Sequence, residues 1–426
     1  MGIGLLDIND SNLQLWHNDK RVQSPGYALL QGQQYLFGAA ARSAARLQPR
    51  DINTRYWWQL GTDTLQPALG PARHTGDLVH AHLRQLHTEA QQPDEILLAV
   101  SGSMQHDQLA LLLGIVQQCP FDAVGLVNRS VALGSVYSQG ERMFHLEIQL
   151  HQSVLSELVA RNNGIEPQRN VPLPGCGLLQ LQERMVELIA AAFVRQTRFD
   201  PRRKAATEQQ LYDALPAALQ ALKTSAETNM EVNGYQARIS ANELEVAGKR
   251  LFDSVRESMG VLSSDDQVIA DPIAALLPGL LGEFPKLEIV EIDAMRSALQ
   301  AHEKKLVQRE QALNFVTHLP RLKEKLTADE APAVPPPTTI DSPPVKPVSR
   351  ATHILQNHIA HSLTVPGLKV AKDWEFFLDD QGWQLRGNGS ALSVNGHPYH
   401  SGQILGVGDS VTTDDGTTAM LIEVKN

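Results

Sequence analysis

The chain has 426 residues, 42% of them hydrophobic, which is enough for two or three domains with cores of their own. Its formal net charge of -10 and the lack of any Lys/Arg run argue against nucleic acid or an anionic membrane as a partner. The 2 cysteines make no disulfide framework, and no apolar run approaches the ~20 residues that a membrane span needs.

From the N-terminus, strand-like and helix-like segments alternate. The opening MGIGLLDIND has no basic region, so it is not a signal peptide, and we expect a cytoplasmic protein without membrane insertion. A β-hairpin is predicted over GIGLLDI and LQLWH, and its sheet is predicted to continue through YALLQ and QYLFG. A helix at residues 76–91 has one apolar stripe, formed by Leu78, Val79, His82, Leu83 and Leu86.

The same alternation continues to the middle of the chain. Buried strands are predicted at EILLAVSG and AVGLVNRS, with a helix between them at QLALLLGIVQQC, and a second sheet opens at RMFHLEIQLH. Further helices are predicted at 178–196 and 207–228, and a long charged helix at 293–326. This last helix contains three leucines spaced seven residues apart: Leu299, Leu306 and Leu313. Such a spacing is typical either of a dimer seam or of one stripe packed within the same molecule. These elements predict an α/β architecture.

A proline-rich segment, residues 327–350, separates the first domain (1–326) from the C-terminal region. Proline fixes φ and removes amide donors, so this segment is predicted to be an extended linker. The alternative is a proline-rich ligand for an aromatic groove. Residues 351–426 have short alternating strands separated by DDQG, NGH and DDG turns, which predict a small all-β domain.

Five segments, in order, resemble the nucleotide-binding domain of DnaK-type heat-shock chaperones, which belong to the actin/DnaK/sugar-kinase superfamily. The first is LLDINDSNLQLW, which is similar to the first phosphate loop, and the second is RDINTRYWWQLG, which is similar to the segment with the catalytic lysine. The third covers residues 96–138, and the fourth covers residues 198–245, within an adenosine-clamp-like lobe at about 198–262. The fifth, IDAMRSALQAHEKK, is similar to the closing helix. The resemblance covers roughly residues 1–320 and implies a two-lobed actin/DnaK-like fold.

ATP hydrolysis on that fold needs glycine amides near the phosphates, carboxylates for Mg²⁺ and water, and a nearby cation. Asp7 matches the first carboxylate, but Asn9, Asp10 and Ser11 stand where the first phosphate loop has Gly-Thr-Thr. An Asn-Glu-Pro motif becomes Asn128, Arg129 and Ser130, so a positive charge replaces the glutamate that orients water. The resemblance therefore implies a degenerate site.

The remaining parts of the nucleotide site depart from the pattern as well. Glu147 lies where the second phosphate loop is expected, yet no glycine occurs between residues 140 and 164. The lysine position falls near Trp58 or Gln59, and the adenosine loop is replaced by residues 270–273, which include a proline. Lys223 is the one plausible survivor on the adenosine side. We expect no cofactor, while ATP with Mg²⁺ belongs to the alternative in which the site still functions.

Arg129 permits two interpretations. It is either a substitute phosphate anchor or an arginine that forms a salt bridge within a vestigial cleft, with Asp7 as the expected partner. The second interpretation is favoured. Together with Asp10, Ser11, Asn128, Glu147 and Lys223, these residues form the predicted vestigial nucleotide cleft.

The C-terminal region contains SVNGHPYHSGQILGVGDSVTTDDG, which resembles the last third of a forkhead-associated domain, a β-sandwich that reads phosphothreonine. Arg386 is the only arginine after Arg350, so convincing phosphate contacts are lacking. A protein partner bound without phosphate is favoured over phosphothreonine recognition. The Asn-Gly turn is predicted to project the partner-binding side chains outward: Asn395, His397, Tyr399 and His400.

The sequence therefore favours a non-catalytic DnaK-like scaffold or adaptor that docks a protein partner through its C-terminal β domain. Two alternatives stay open: an ATP-binding, chaperone-like ATPase and a phosphothreonine-reading signalling adaptor.

Overall fold

The structure is a computed structural model that describes residues 2–309, 313–322, 351–356, 359–363, 369–371, 374–379, 382–387, 392–395, 397–400, 403–413 and 418–422. The chain divides into two compact units, residues 1–330 and 331–426. The predicted linker at 327–350 lies outside the described residues. Within the described ranges, no helix is both long and apolar enough to cross a membrane.

The first unit begins with the strands of a large sheet, the strands of a small three-stranded sheet, and the helices that accompany them. In chain order they are β1 (Gly4–Ile8), β2 (Leu13–His17), β3 (Lys20–Ser24), β4 (Ala28–Gln31), β5 (Gln34–Phe37), α1 (Gly38–Arg42), β6 (Ile52–Asn53), α2 (Thr75–Glu89), β7 (Glu95–Val100), α3 (His106–Val116), β8 (Asp122–Asn128) and α4 (Arg129–Tyr137).

The rest of the first unit builds a second large sheet with its own helices, a two-stranded sheet, and the last strand of the first sheet. Its elements are β9 (Arg142–Ile148), β10 (Gln152–Arg161), β11 (Gly164–Pro174), α5 (Leu178–Thr197), α6 (Ala205–Leu222), β12 (Glu227–Val232), β13 (Tyr235–Ser240), α7 (Ala241–Met259), β14 (Gln267–Ala270), α8 (Leu280–Glu283), β15 (Leu287–Ile289), α9 (Ala294–Leu306), β16 (Phe315–Val316) and β17 (Leu319–Pro320). Strands β12 and β13 form the two-stranded sheet, and β16 is the last strand of the first sheet.

The two large sheets repeat one arrangement. The first has the order β16-β8-β7-β1-β2-β3 and the second the order β15-β14-β9-β10-β11-β17. In each, three consecutive strands form an antiparallel meander, and the first strand of the meander also pairs in parallel with a later strand. The carboxyl ends of β1, β7 and β8 therefore lie at one sheet edge, and those of β9 and β14 lie at one edge of the other. The unit is thus mixed α/β, as predicted.

Several predicted elements are confirmed, and one sheet assignment is wrong. Strands β1 and β2 form the predicted hairpin, and the predicted apolar stripe of α2 is buried. Strands β4 and β5 do not continue the first sheet but pair with β6 in a sheet of their own. The chain changes direction after β3, where the amide of Gly26 donates to the carbonyl of Asp10, 2.8 Å away, instead of extending the ladder.

The predicted long helix at 293–326 is also wrong. Helix α9 ends at Leu306, and the amide of Gln308 donates to the carbonyl of Val124, 2.7 Å away. The chain then adds β16 alongside β8, so sheet bonds replace helical ones. Leu299 and Leu306 are buried in the core, whereas Leu313 lies beyond the helix, so the three leucines form no dimer seam. The predicted helix at 207–228 likewise ends at Leu222 and is followed by β12.

Apolar cores hold the two sheets on either side of a shared layer. One core packs α2 and α3 on the first sheet, and another packs α5, α6 and α7 on the second. A third joins the first sheet, α4, α9 and the second sheet, through residues such as Leu97, Val131, Leu299 and Leu158. Because both sheets are tied to α4, the residues at its N-terminus have fixed positions relative to both.

The second unit is all-β in its described residues, as predicted. Its strands are β18 (His353–Gln356), β19 (Ile359–Ser362), β20 (Lys369–Ala371), β21 (Trp374–Asp379), β22 (Gly382–Gly387), β23 (Leu392–Val394), β24 (His397–Pro398), β25 (Ser410–Thr413) and β26 (Thr418–Ile422). They form a sheet of order β19-β18-β26-β25-β23-β24 and a sheet of order β20-β21-β22. Side chains of both sheets share one core, which includes Ile354, Phe376, Leu385 and Leu421.

Candidate functional site

Four charged residues of the first unit lie at the ends of strands from both sheets. Asp7 is near the end of β1, Glu147 is near the end of β9, and Asp271 directly follows β14. Arg129 directly follows β8 as the first residue of α4. Asn128 caps that helix, since its side chain accepts from the amide of Val131 at 3.1 Å. The carboxyl ends of the strands thus bring together residues that are far apart in sequence. Asp7 and Asp271, the most distant pair, are 264 positions apart.

The guanidinium of Arg129 is enclosed by three carboxylates. Its Nε lies 2.6 Å from Oδ1 of Asp7, and its Nη2 lies 3.1 Å from Oδ2 of the same residue. Nη1 and Nη2 each lie 2.9 Å from an oxygen of Asp271, and Nη1 also lies 3.3 Å from Oε2 of Glu147. A guanidinium has five N–H donors, and each of them has an acceptor here. The predicted ion pair between Arg129 and Asp7 is confirmed.

The cluster is closed to solvent, so its charges interact strongly. Arg129 is 4% exposed, and its three carboxylate partners are buried. Burial acts to lower the pKa of Arg129, but the three carboxylates outweigh it and hold the pKa well above its usual range. Burial has the largest effect on Asp7 and raises its pKa. Arg129 opposes this shift, but repulsion from Asp271 and Glu147 adds to it, so the pKa of Asp7 is raised overall. Burial opposes ionisation of Asp271 too, yet Arg129 and His145 outweigh it and lower that pKa.

A chain of hydrogen bonds connects Asn170 to the charge cluster. Asn170 donates its Nδ2 to a backbone carbonyl, and its Oδ1 accepts from the hydroxyl of Ser156, 2.8 Å away. Oγ of Ser130 lies 3.1 Å from Oγ of Ser156 and 2.8 Å from Nδ1 of His145. Nε2 of His145 faces the carboxylate of Asp271 at 3.3 Å, so the chain ends at the cluster.

Hydrogen bonds link Ser130 to His145 and His145 to Asp271, in the order serine, histidine, aspartate of a hydrolase triad. The three residues are nevertheless not arranged for nucleophilic catalysis. Ser130 and His145 are fully buried, so no substrate can reach the hydroxyl. The three residues instead support the charge cluster.

The loop after β1 is bonded to the second sheet rather than left open for a phosphate. Asn9 donates its Nδ2 to Asp271 at 3.1 Å and to the carbonyl of Ile148 at 3.3 Å. Its Oδ1 accepts from the amide and the hydroxyl of Ser11, at 3.0 and 2.9 Å. Asp10 accepts the amide of Leu150 at 2.7 Å. The polar groups of the loop after β1 thus form hydrogen bonds with one another and with residues at the strand ends of the second sheet.

Asp10 adds a further acid at this position. Burial raises its pKa to about 7, the amide of Leu150 opposes the shift, and Glu147 adds repulsion. A carboxyl with this pKa gives a phosphate no favourable partner near neutral pH. The turn that follows β9 is tight as well, since the amide of Gln149 donates to the carbonyl of Gln152 at 2.9 Å.

Two of the predicted nucleotide-site positions lie apart from the cluster. Lys223 is exposed at the end of α6, and its side chain makes no hydrogen bond or ion pair with the described residues of the cluster. Trp58, at the predicted lysine position, is 37% exposed, and its ring stacks on His151 with the centroids 5.2 Å apart. The structure therefore brings together Asp7, Asp10, Ser11, Asn128, Arg129 and Glu147, but not Lys223.

The predicted vestigial cleft did not include Asp271, His145, Ser130 or Asn9. Asp271 carried a usable signal, because it directly follows the apolar strand QVIA, and Asp7 likewise lies near the end of its own strand. His145 carried none, since it sits within a strand pattern and its role depends on β14 pairing with β9.

In the second unit, the turn at Asn395 has the predicted local geometry, but Tyr399 is oriented differently. Asn395 has φ of 52°, and Val394 pairs with His397 across the turn. His397 and His400 are exposed. Tyr399 does not project outward as predicted, because its hydroxyl donates to the carbonyl of Leu385 at 3.0 Å and accepts the amide of Leu385 at 3.1 Å. It packs against the core, edge-on to Trp374.

The chain matches no protein-family model and no curated protein. Among the described residues, no group of three or more His, Cys, Asp or Glu side chains is arranged to hold a metal ion. The site is therefore characterised by its own geometry: a buried cation bonded to three carboxylates at the strand ends.

Proposed function

We propose that the first unit has the two-lobed actin/DnaK-like fold and acts as a non-catalytic scaffold with a degenerate nucleotide site. The repeated sheet arrangement supports this proposal, since each large sheet combines a meander with parallel strands added to its first strand. In this proposal α6, β12, β13 and α7 correspond to the adenosine-clamp-like lobe at about 198–262. A cytoplasmic location fits the two free cysteines, Cys119 and Cys176.

One observation carries the scaffold proposal: the guanidinium of Arg129 uses all its donors on the carboxylates at the strand ends. In an ATPase of this fold, carboxylates at these positions are needed for Mg²⁺ and for the attacking water. Here they are committed to an internal cation of the protein. Nucleotide binding would require this buried pairing to break, which costs several kcal/mol.

The C-terminal unit is proposed to dock a protein partner through the exposed surface around Asn395, His397 and His400. Asn395 is held in place, since its side chain donates to Asp409 at 2.8 Å and accepts the amide of Ser410 at 2.9 Å. Tyr399 supports this surface from the core side instead of contacting the partner. Loops at one end of a β-sandwich commonly carry recognition.

Phosphate is not required in this proposal. Arg386, the only arginine after Arg350, donates to Glu375, with its Nε 3.1 Å from the carboxylate. An arginine paired with a carboxylate is a poor phosphate donor unless that pair breaks. This contact supports a docking unit over a phosphothreonine reader.

Two measurements test the proposal. Equilibrium dialysis of the full chain with labelled ATP and Mg²⁺ should show no saturable binding, and binding at micromolar nucleotide would contradict the scaffold. Partner recovery from native extract should fall for the double variant His397→Ala/His400→Ala and persist after phosphatase treatment. The matched control is His106→Ala, an exposed histidine of the first unit. Equal recovery by both variants would contradict the docking surface.

A further inference from the structure

A small cleft in the first unit, about 230 Å³ in volume, lies beside Asp10, and half of the residues that line it have neutral polar side chains. Four glutamines and two serines contribute to its wall: Gln105, Gln108, Gln149, Gln152, Ser101 and Ser103. Two tryptophans also line it, and Asp10 is the only ionisable side chain among the described lining residues. A wall of this composition presents many hydrogen-bonding groups and almost no charge.

The polar groups of the cleft are held in fixed orientations. Gln108 accepts the amide of Gln105 at 3.0 Å and donates to the carbonyl of Trp58 at 3.1 Å. Gln152 donates its Nε2 to Oε1 of Gln149 at 2.9 Å. Oε1 of Gln152 accepts no hydrogen bond from the described residues. A wall whose amides are already oriented loses little conformational entropy when a ligand binds.

The charge of the wall excludes an anionic ligand. No Lys or Arg occurs among the described residues that line the cleft. The N-terminus of α3 lies at the wall and would favour an anion, but its first turn carries Asp107, and the amide of Gln105 is already bonded to Gln108. Asp10 adds a carboxyl on the opposite element. Phosphate and nucleotides therefore find no compensating charge here.

Trp58 supplies an apolar contact surface. Its ring stacks on His151, the residue as a whole is 37% exposed, and it contributes to the wall of the cleft. Amphipathic aromatic rings of this kind pack against the faces of flat or ring-shaped ligands. The indole N–H of Trp57 is already used, since it donates to His82 at 3.1 Å. Trp58 is thus the aromatic residue available to a ligand.

We infer that this cleft binds a small uncharged ligand with neighbouring hydroxyl or amide groups, stacked on Trp58 and hydrogen-bonded to Gln152. A monosaccharide and a carboxamide both present that chemistry, since each combines donors and acceptors on adjacent atoms. The volume of about 230 Å³ lies below the ~300–1,000 Å³ of pockets for drug-sized ligands, which restricts the ligand to about the size of one sugar ring or one amino acid.

The test uses the full chain and follows intrinsic tryptophan fluorescence during titration with two probe panels at millimolar concentration. One panel contains neutral monosaccharides, including N-acetylglucosamine, and the other contains N-acetylated glutamine and asparagine amides. We expect saturable binding of a member of one panel, and the responding panel identifies the source of the chemistry. Inorganic phosphate and Mg·ATP serve as charged control probes and are expected to give no saturable signal.

The variants Gln152→Leu and Trp58→Ala should each weaken binding of the responding probe about tenfold or more, which is the effect of losing one ligand contact. Because Trp58→Ala removes a fluorophore, its binding is measured by calorimetry. The matched control is Gln85→Leu, a half-buried glutamine of α2 that is bonded to Glu89, and this variant should bind as the unmodified chain does. Circular dichroism verifies that each variant is folded.

Three outcomes would overturn the inference: no response to either neutral panel, equal binding by all variants, or saturable phosphate binding that depends on Gln152. The first two leave the scaffold proposal standing, because that proposal rests on Arg129. Mg·ATP binding would contradict the scaffold proposal independently of the neutral panels.

Discussion

The Nε of Arg129 lies 2.6 Å from Oδ1 of Asp7, and the two residues are 122 positions apart in sequence. This contact joins the end of β1 to the start of α4 and is completed by Asp271 and Glu147 from the second sheet. The cluster thus links both halves of the first unit through charge. Its removal has consequences for stability that can be measured.

Replacing Arg129 by methionine should lower the free energy of unfolding by about 3–5 kcal/mol, because three buried carboxylates lose their main cation. Urea denaturation at neutral pH measures the change. The loss should shrink at acidic pH, where the carboxylates can take up protons. The control is Arg195→Met, which breaks an exposed pair with Glu243 and should cost less than about 1 kcal/mol. Equal losses for the two variants would show that the buried cluster contributes no more to the free energy of unfolding than an exposed ion pair does.

Asp10→Asn should stabilise the protein above pH 7. Burial raises the folded-state pKa of Asp10 from 3.8 to about 7, so ionisation destabilises the folded state as the pH rises through that interval. Asparagine keeps an oxygen for the amide of Leu150 but carries no charge. The gain should be absent below pH 4 and reach up to about 4 kcal/mol above pH 7, the free-energy equivalent of the shift. A gain that does not vary with pH would contradict the assignment.

His82 should remain neutral in the folded protein down to about pH 3, because burial lowers its pKa from 6.5 to about 3. The indole of Trp57 can only donate, so Nδ1 of His82 accepts and Nε2 donates to Ser24 at 2.7 Å. Below pH 6.5 the unfolded chain binds a proton that the folded chain does not, so this residue lowers stability as the pH falls from 6.5 to 3. In NMR spectra, titration of His82 near pH 6.5 would contradict its burial.

Local patterns predicted much of the fold, and contacts between distant segments account for the errors. Alternation and helical periodicity predicted β1, β2 and α2, whose burial follows from their own residues. The end of α9 was mispredicted because the amide of Gln308 bonds to Val124, which no local pattern reveals. Tyr399 was expected at the surface because its bonds to Leu385 join two separate strand segments.

The candidate site was likewise predicted only in part from the sequence. Asp7 and Arg129 were predicted as a pair because the resemblance to DnaK-type chaperones placed both of them in one vestigial cleft. Asp271 follows a strand of only 4 residues, and its place beside Arg129 depends on the parallel pairing of β14 with β9. His145 lies inside β9, so only the assembled sheets show that it faces Asp271.

We propose that the internal cation of Arg129 has replaced nucleotide at the strand ends, and thermal unfolding of the full chain with and without millimolar Mg·ATP measures whether nucleotide still binds. A ligand at 100 times its Kd adds about 2.7 kcal/mol to the free energy of unfolding, which raises Tm by several degrees. We expect no change in Tm. A magnesium-dependent rise of several degrees would show that nucleotide still binds and would refute the replacement.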